Sequence, residues 1–435
     1  MSMGQGRRTA AVLGLIGVLG YGAGVAPARS QAVPSRAGSQ AAEAGFDPAR
    51  LARIGAVLRQ YVDEQRMAGA VGIILRGGEV VWHEAVGHAD REAGRRMTKD
   101  ALFRIASQSK APTSAAVLML VEEGRIGLGD PVSRYLPAYA RTTVAVQTDS
   151  GRVVVPAQRP ITVRQLLTHT AGISYGTSAL VSELYARAGL GPEAGWGWYF
   201  ADKSEPVCAT VDRLATLPFV AQPGAAFVYG YNTDILGCLV ERVSGLSLDA
   251  FLRTRIFEPL GMRDTHFFVP PEQKDRLAAV YAVVDGKLER APDGPRGQGD
   301  YVSGPRASYS GGAGLVSTAA DYARFLQVLL NGGELDGARL LSPTTVALMT
   351  ADHLDALYGN PGMGFGLGFE ILEDPGIAGR HGTPGSWGWG GAYHSTYRVD
   401  PANGLVMVLL TQTLPAGGLD LTTKFYTLVY QALVR

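Results

Sequence analysis

Strand-like runs lie near both ends of this chain, and a long helix-patterned stretch separates them. Ala70–Leu75 and Val80–Val86 are joined by Arg76-Gly77-Gly78-Glu79, a tight-hairpin signal. Strands are expected again at Gly366–Leu372, Ala392–Val399 and Leu405–Thr411. Between them, Ser114–Glu123, Val163–Leu167, Ile235–Val243 and Leu248–Ile256 carry apolar residues at helical spacing. Further helices are expected near 318–331 and 343–350, and a small hairpin turns at Asp149-Ser150-Gly151. An amphipathic helix over 47–66 starts from the Asp47-Pro48 cap signal, and a helix over Leu419–Leu433 closes the chain. This order implies an α+β fold. One antiparallel sheet is assembled from the two chain ends, helices cover its faces, and a mainly helical region is inserted. The sheet part is expected over about 45–106 and 291–435, the helical part over about 107–290.

Size and charge narrow the function classes. The chain has 435 residues, where a domain usually has about 100–150, so one large domain or two are expected. No internal repeat or low-complexity linker divides it, and residues 31–435 read as one domain. Hydrophobic residues make up 46%, which excludes a disordered polyelectrolyte. A net charge of +1 offers no footprint for nucleic acid or an anionic membrane. The seven histidines are dispersed without metal-ligand spacing, so no metal is expected.

The first thirty residues differ from the rest. Arg7 and Arg8 precede an uncharged run, Ala10 to Ala26, which ends at Ala28-Arg29-Ser30, a small-residue cleavage pattern. Residues 1–30 therefore read as a signal peptide, with an uncleaved anchor as the alternative. The expected location is periplasmic or secreted, with membrane contact only if the segment stays attached. An exported chain permits a disulfide between its two cysteines, Cys208 and Cys238, but two separate buried thiols are the favoured reading.

Two serine patterns compete for a catalytic role. Gly172-Ile173-Ser174-Tyr175-Gly176 fits G-x-S-x-G, yet a nucleophile elbow needs a strand before it and a helix after it. Here a helix pattern precedes and a loop pattern follows, so Ser174 is read as a decoy. Ser107-Gln108-Ser109-Lys110 is S-x-x-K. On a helix, residues i and i+3 share a face, so Lys110 can reach Ser107. A serine hydroxyl is a poor nucleophile until a neighbour takes its proton, and a buried lysine can do that or help a second group do it. Ser107 also stands at a helix start, where backbone N–H groups favour negative charge. Taken alone, S-x-x-K also describes an ordinary solvated helix end.

The surrounding text adds to the pattern: Phe103-Arg104-Ile105-Ala106-Ser107, Leu166-Leu167-Thr168-His169-Thr170-Ala171-Gly172, Pro259-Leu260-Gly261-Met262 and Gly314-Leu315-Val316-Ser317-Thr318. From about Gly69 to Gln412 the chain resembles the serine β-lactamase and penicillin-binding superfamily, in the class C branch that includes the family VIII carboxylesterases. The resemblance implies that Tyr229, in Tyr229-Gly230-Tyr231, acts as general base on Ser107 and as acid to the leaving group. The branch's Y-x-N asparagine is absent in this register; Tyr231 takes its place and Asn232 follows, outside the expected catalytic set. K-T-G is absent too, and Trp389-Gly390-Gly391-Ala392 stands where the resemblance expects it. It implies an oxyanion hole from the N–H groups of Ser107 and Ala392 beside this substrate strand.

The expectation is a serine hydrolase without cofactor, acting on small esters with short or medium acyl groups through an acyl-enzyme on Ser107. A β-lactamase or D-Ala-D-Ala carboxypeptidase is the nearest rival, and a non-catalytic binder of peptidoglycan or acyl ligands is the rival of another class. His381 and His394 flank the substrate strand and are read as structural. Trp196, Trp198, Tyr199 and Phe200 are read as a pocket wall or as core.

Overall fold

The computed structural model describes residues 36–191, 204–294, 297–415 and 418–435. The expected signal peptide and the 196–200 aromatic group lie outside them. Eight strands form one antiparallel sheet. They are β1 (Gly69–Arg76), β2 (Glu79–Asp90), β3 (Arg95–Arg96), β4 (Met363–Phe365), β5 (Glu370–Leu372), β6 (Trp387–Gly391), β7 (Ser395–Asp400) and β8 (Leu405–Thr411). Their spatial order is β4-β5-β6-β7-β8-β1-β2-β3, so the last long strand pairs with the first, from Ala70↔Thr411 to Arg76↔Leu405. Gly77 and Gly78 turn the β1–β2 hairpin with φ of +58° and +87°, a conformation open to glycine without a Cβ clash.

The central strands are apolar on both faces because both faces are covered. In β8, Leu405, Met407 and Leu409 face one layer while Val406, Val408 and Leu410 face the other, the two-residue period of a strand. The first layer holds α1 (Pro48–Asp63) and α5 (Leu421–Ala432). Asp47 caps α1 by accepting from the N–H groups of Ala49 and Arg50, and Leu51, Ile54, Leu58 and Tyr61 are buried. The other layer is the inserted region, in which α2 (Lys110–Glu122) packs against α3 (Asn232–Ser244), with α4 (Ala319–Leu330) against β8 and β1.

Several elements depart from the sequence-based expectation. Of the run 366–372 only Glu370–Leu372 (β5) is strand; Gly366–Phe369 links it back to β4 (Met363–Phe365). The run 392–399 is not one strand: Ala392, Tyr393 and His394 turn between β6 and β7, with His394 at φ +63° and its N–H donating to Gly391 O. The glycine-rich β6 has low strand propensity and forms because β7 pairs along its whole length. Helix α2 begins at Lys110 rather than Ser114, continuing a 3₁₀ turn over Ala106–Ser109. Pro112 sits in the first turn of α2, where an N–H has no intrahelical partner, so its missing donor costs nothing. Cys208 and Cys238 form a disulfide with Cα atoms 5.0 Å apart, against the expectation of separate thiols. Residue spacing gave no hint of it; the packing of Val207–Leu214 on α3 brings the two together.

Candidate active site

The 3₁₀ turn decides how Ser107 and Lys110 meet. At three residues per turn, positions i and i+3 stand over one another. Lys110 Nζ lies 3.3 Å from Ser107 Oγ. Ser107 is half-buried at the cavity wall, while Lys110 is only 1% exposed. A buried amino group needs partners, and it has two more: it donates to Tyr175 OH at 3.0 Å and to Gly312 O at 2.8 Å. Ala106, just before Ser107, holds φ +43°, a strained value for a residue with a Cβ.

Tyr229 reaches the site on a loop gripped by the segment 168–176. Val228 N–H donates to His169 O at 2.7 Å. The Asn232 amide donates to Ile173 O at 3.3 Å and to Val228 O at 3.2 Å. It also meets His169 Nδ1 at 2.9 Å. Burial, reinforced by the charge of Lys110, holds the His169 pKa well below its ordinary value, so this ring is neutral and can accept from the amide. The two segments touch closely at Gly230, where a Cβ would stand 2.2 Å from Ile173 O. As a result the Tyr175 and Tyr229 rings lie edge to face at 5.7 Å, and Lys110 Nζ sits 4.7 Å from the Tyr229 ring centroid. Tyr231 is fully buried in the core, edge to face with Tyr175 and stacked with Tyr185.

Strand β6 supplies the opposite wall. It pairs with β5 only at Trp387 and Gly388, so Trp389–Gly391 run past the end of β5. A Cβ on Gly391 would meet Ile105 O at 2.5 Å, so glycine there lets the strand close on the turn that carries Ser107. Trp389 brings an apolar ring to this wall, and its indole Nε1–H donates to Tyr229 OH at 3.0 Å. Ala392 follows directly in the turn, half-buried and lining the same cavity as Ser107. That cavity, about 820 Å³, is bounded by Ser107, Tyr175, Tyr229, Trp389, Gly390 and Ala392 at one end and reaches α5 at the other. Its size suits a small organic ligand.

The structure thus brings Ser107, Lys110, Tyr229, Trp389, Gly390, Gly391 and Ala392 around one space. Sequence reasoning missed Tyr175. The residue stood inside the G-x-S-x-G pattern that was set aside, and nothing local to it announces a lysine 65 positions away. Ser174 is 5% exposed and its Oγ accepts from Gly176 N–H, a local turn contact with no strand before it. His381 and His394 both line the cavity. Among the described residues no group of three or more His, Cys, Asp or Glu side chains is arranged to hold a metal.

Comparison with known proteins agrees with this architecture. The Beta-lactamase family profile matches residues 54–430. Esterase EstB of Burkholderia gladioli is 36% identical over 391 residues, 86% of this chain and 93% of the relative. Lovastatin esterase of Penicillium rubens is 31% identical over 82% of this chain and 92% of its own length. Among solved structures, EstCE1, described as a hydrolase with promiscuous acyltransferase activity, superposes with a TM-score of 0.75 at 31% identity. It spans 88% of this chain and 99% of its own. A penicillin-binding protein homologue from Pyrococcus abyssi shares the fold at a TM-score of 0.63, covering 88% of this chain and 77% of its own. Because the family profile matches residues 54–430, most of its length, the chain belongs to the Beta-lactamase family.

Proposed function

We propose that this protein is a serine carboxylesterase that hydrolyses small neutral esters through an acyl-enzyme on Ser107. The observation that carries the reading is Lys110 Nζ at 3.3 Å from Ser107 Oγ, in a cavity where an uncharged Trp389 stands on the substrate strand. Ser107 Oγ attacks the ester carbonyl and loses its proton toward the Lys110–Tyr229 pair. The oxyanion is met by the N–H groups of Ser107 and Ala392, each such donor contributing about 2.7–4 kcal/mol to the transition state. Tyr229 returns a proton to the departing alcohol, and water then repeats the sequence on the acyl-enzyme. The Trp389 indole fixes the phenol's orientation by occupying one lone pair of its oxygen. Tyr175 shares in proton handling, since its hydroxyl is the phenol hydrogen-bonded to Lys110.

Esters are favoured over β-lactams and D-Ala-D-Ala peptides on electrostatic grounds. Those substrates carry a carboxylate that loses water on binding, and a desolvated anion without a partner is costly. On the substrate strand Trp389 offers no charge and Gly390 no hydroxyl, and the two arginines that line the cavity are already engaged, Arg380 with Glu370 and Arg398 with His381 O and the Tyr426 ring. The names of EstB and lovastatin esterase support the same choice. The protein is proposed to act outside the cytoplasm, which its charged-then-apolar leader and the Cys208–Cys238 disulfide support. Parallel assays with p-nitrophenyl butyrate and nitrocefin test the substrate class. The expected kcat/KM is well above that of nitrocefin for the ester; nitrocefin turnover equal to or faster than ester turnover overturns the reading.

A further inference from the structure

Asp234 is a carboxyl group, 1% exposed, in the first turn of α3, and the chemistry described above makes no use of it. Burying a carboxylate is costly, and an apolar side chain fills the same space without that cost. Its contacts run toward the nucleophile turn. Asp234 Oδ1 accepts from Ser310 Oγ at 2.5 Å and from Gly312 N–H at 3.2 Å. Ser310 Oγ in turn accepts from Ala313 N–H at 3.2 Å. The carbonyl of the same Gly312–Ala313 peptide receives Lys110 Nζ at 2.8 Å. One peptide group is therefore held from both sides, by Ser310 on its N–H and by the lysine on its oxygen. Hydrogen bonds in such a chain polarise one another. The fit is close: a Cβ on Gly312 would stand 2.5 Å from Asp234 Oδ2. Burial pushes the Asp234 pKa up, opposed by Ser310, by the charge of Lys110 and by Gly312 N–H.

We propose that Asp234 is a positioning residue for Lys110. Through Ser310 and Gly312 it fixes the carbonyl that aims the lysine's Nζ at Ser107. The proposal rests on the reading of Ser107 and Lys110 as nucleophile and proton handler. It accounts for a buried carboxyl group two residues beyond Asn232, on the helix that follows Tyr229.

The test uses two readouts on the full chain: steady-state hydrolysis of p-nitrophenyl butyrate, and the rate at which a fluorophosphonate labels Ser107. Asp234→Ala is expected to lower kcat by about 100-fold with KM within about 3-fold, the scale of an ångström of misplacement in a reacting group. Asp234→Asn keeps an oxygen for both donors and is expected to recover activity to within about 10-fold of the parent. Ser310→Ala removes the link with little change in volume and is expected to lower kcat in the same direction with the Tm nearly unchanged, which keeps the test alive should Asp234→Ala fail to fold. In a Lys110→Ala background, adding Asp234→Ala should not slow labelling further, because a residue acting through the lysine has nothing left to position. An additive loss in that background overturns the proposal. So does near-normal kcat in a folded Asp234→Ala protein, or an Asp234→Asn protein as impaired as Asp234→Ala. If the parent protein neither turns over ester nor labels at Ser107, the hydrolase reading fails; if it labels and Asp234→Ala labels equally fast, only this proposal fails.

Discussion

Replacing Gly230 by alanine asks whether the close approach of two loops sets the catalytic geometry. The added Cβ would stand 2.2 Å from Ile173 O, 2.5 Å from the Ser174 carbonyl carbon and 2.6 Å from its Cα. These are backbone atoms, so no flexible side-chain tip can swing away. Ordinary contact needs about 3.5 Å, so the segments carrying Tyr229 and Tyr175 must part by about 1 Å. Overpacking of this kind costs about 1–3 kcal/mol, a loss of a few degrees in Tm for a chain this large. Catalysis should suffer more than stability, because a displacement of about 1 Å in a proton-handling group costs about 100-fold in rate. The assay is kcat and KM for p-nitrophenyl butyrate beside a thermal melt of the same preparation. Expected are a kcat about 100-fold lower, KM changed only a few-fold, and a modest fall in Tm. A Gly230→Ala enzyme with a normal Tm and near-normal kcat would refute the reasoning, since the two loops would then be shown to give way without moving the phenols.

Ser107→Ala should abolish both turnover and fluorophosphonate labelling, while Ser174→Ala keeps most activity; peptide mapping that finds the label on Ser174 reverses the assignment. Lys110→Ala, and to a lesser degree Tyr229→Phe, should lower kcat by orders of magnitude with modest change in KM. Tyr175→Phe deletes the hydroxyl bound to Lys110 and should also act on kcat; an unchanged kcat removes it from the proton pathway. His83 gives a stability test away from the site. Burial, with Lys99 nearby, holds its pKa down from 6.5 to about 4 in the folded chain, so the unfolded chain takes up the proton first. Its contribution is fully present above pH 6.5 and is lost as pH falls toward 4; His83→Gln should flatten the Tm decline across that window.

The strand runs at both ends, the Gly77-Gly78 hairpin and the helix spacing of Ile235–Val243 were legible because each depends on near neighbours in the chain. The continuous apolar runs of β1 and β8 report burial on both faces of a sheet, and an Asp47 cap followed by Pro48 is a local device. Ser107 and Lys110 were legible for the same reason: three residues of separation let one turn bring them together. Strand β6 was named as the substrate strand only through the resemblance, because three glycines among the five residues Trp387–Gly391 give no strand signal of their own; it pairs along its whole length with Ser395–Asp400. Tyr175 in contact with Lys110, the Trp389 indole on Tyr229, the Gly312 carbonyl on the lysine and the Cys208–Cys238 bridge are all long-range pairings. Local sequence determined the long central strands, the main helices and which serine had a lysine one turn away. Only the tertiary fold decided which phenol, indole and carbonyl surround that lysine, because such contacts depend on how distant segments pack and leave no period or spacing in the chain.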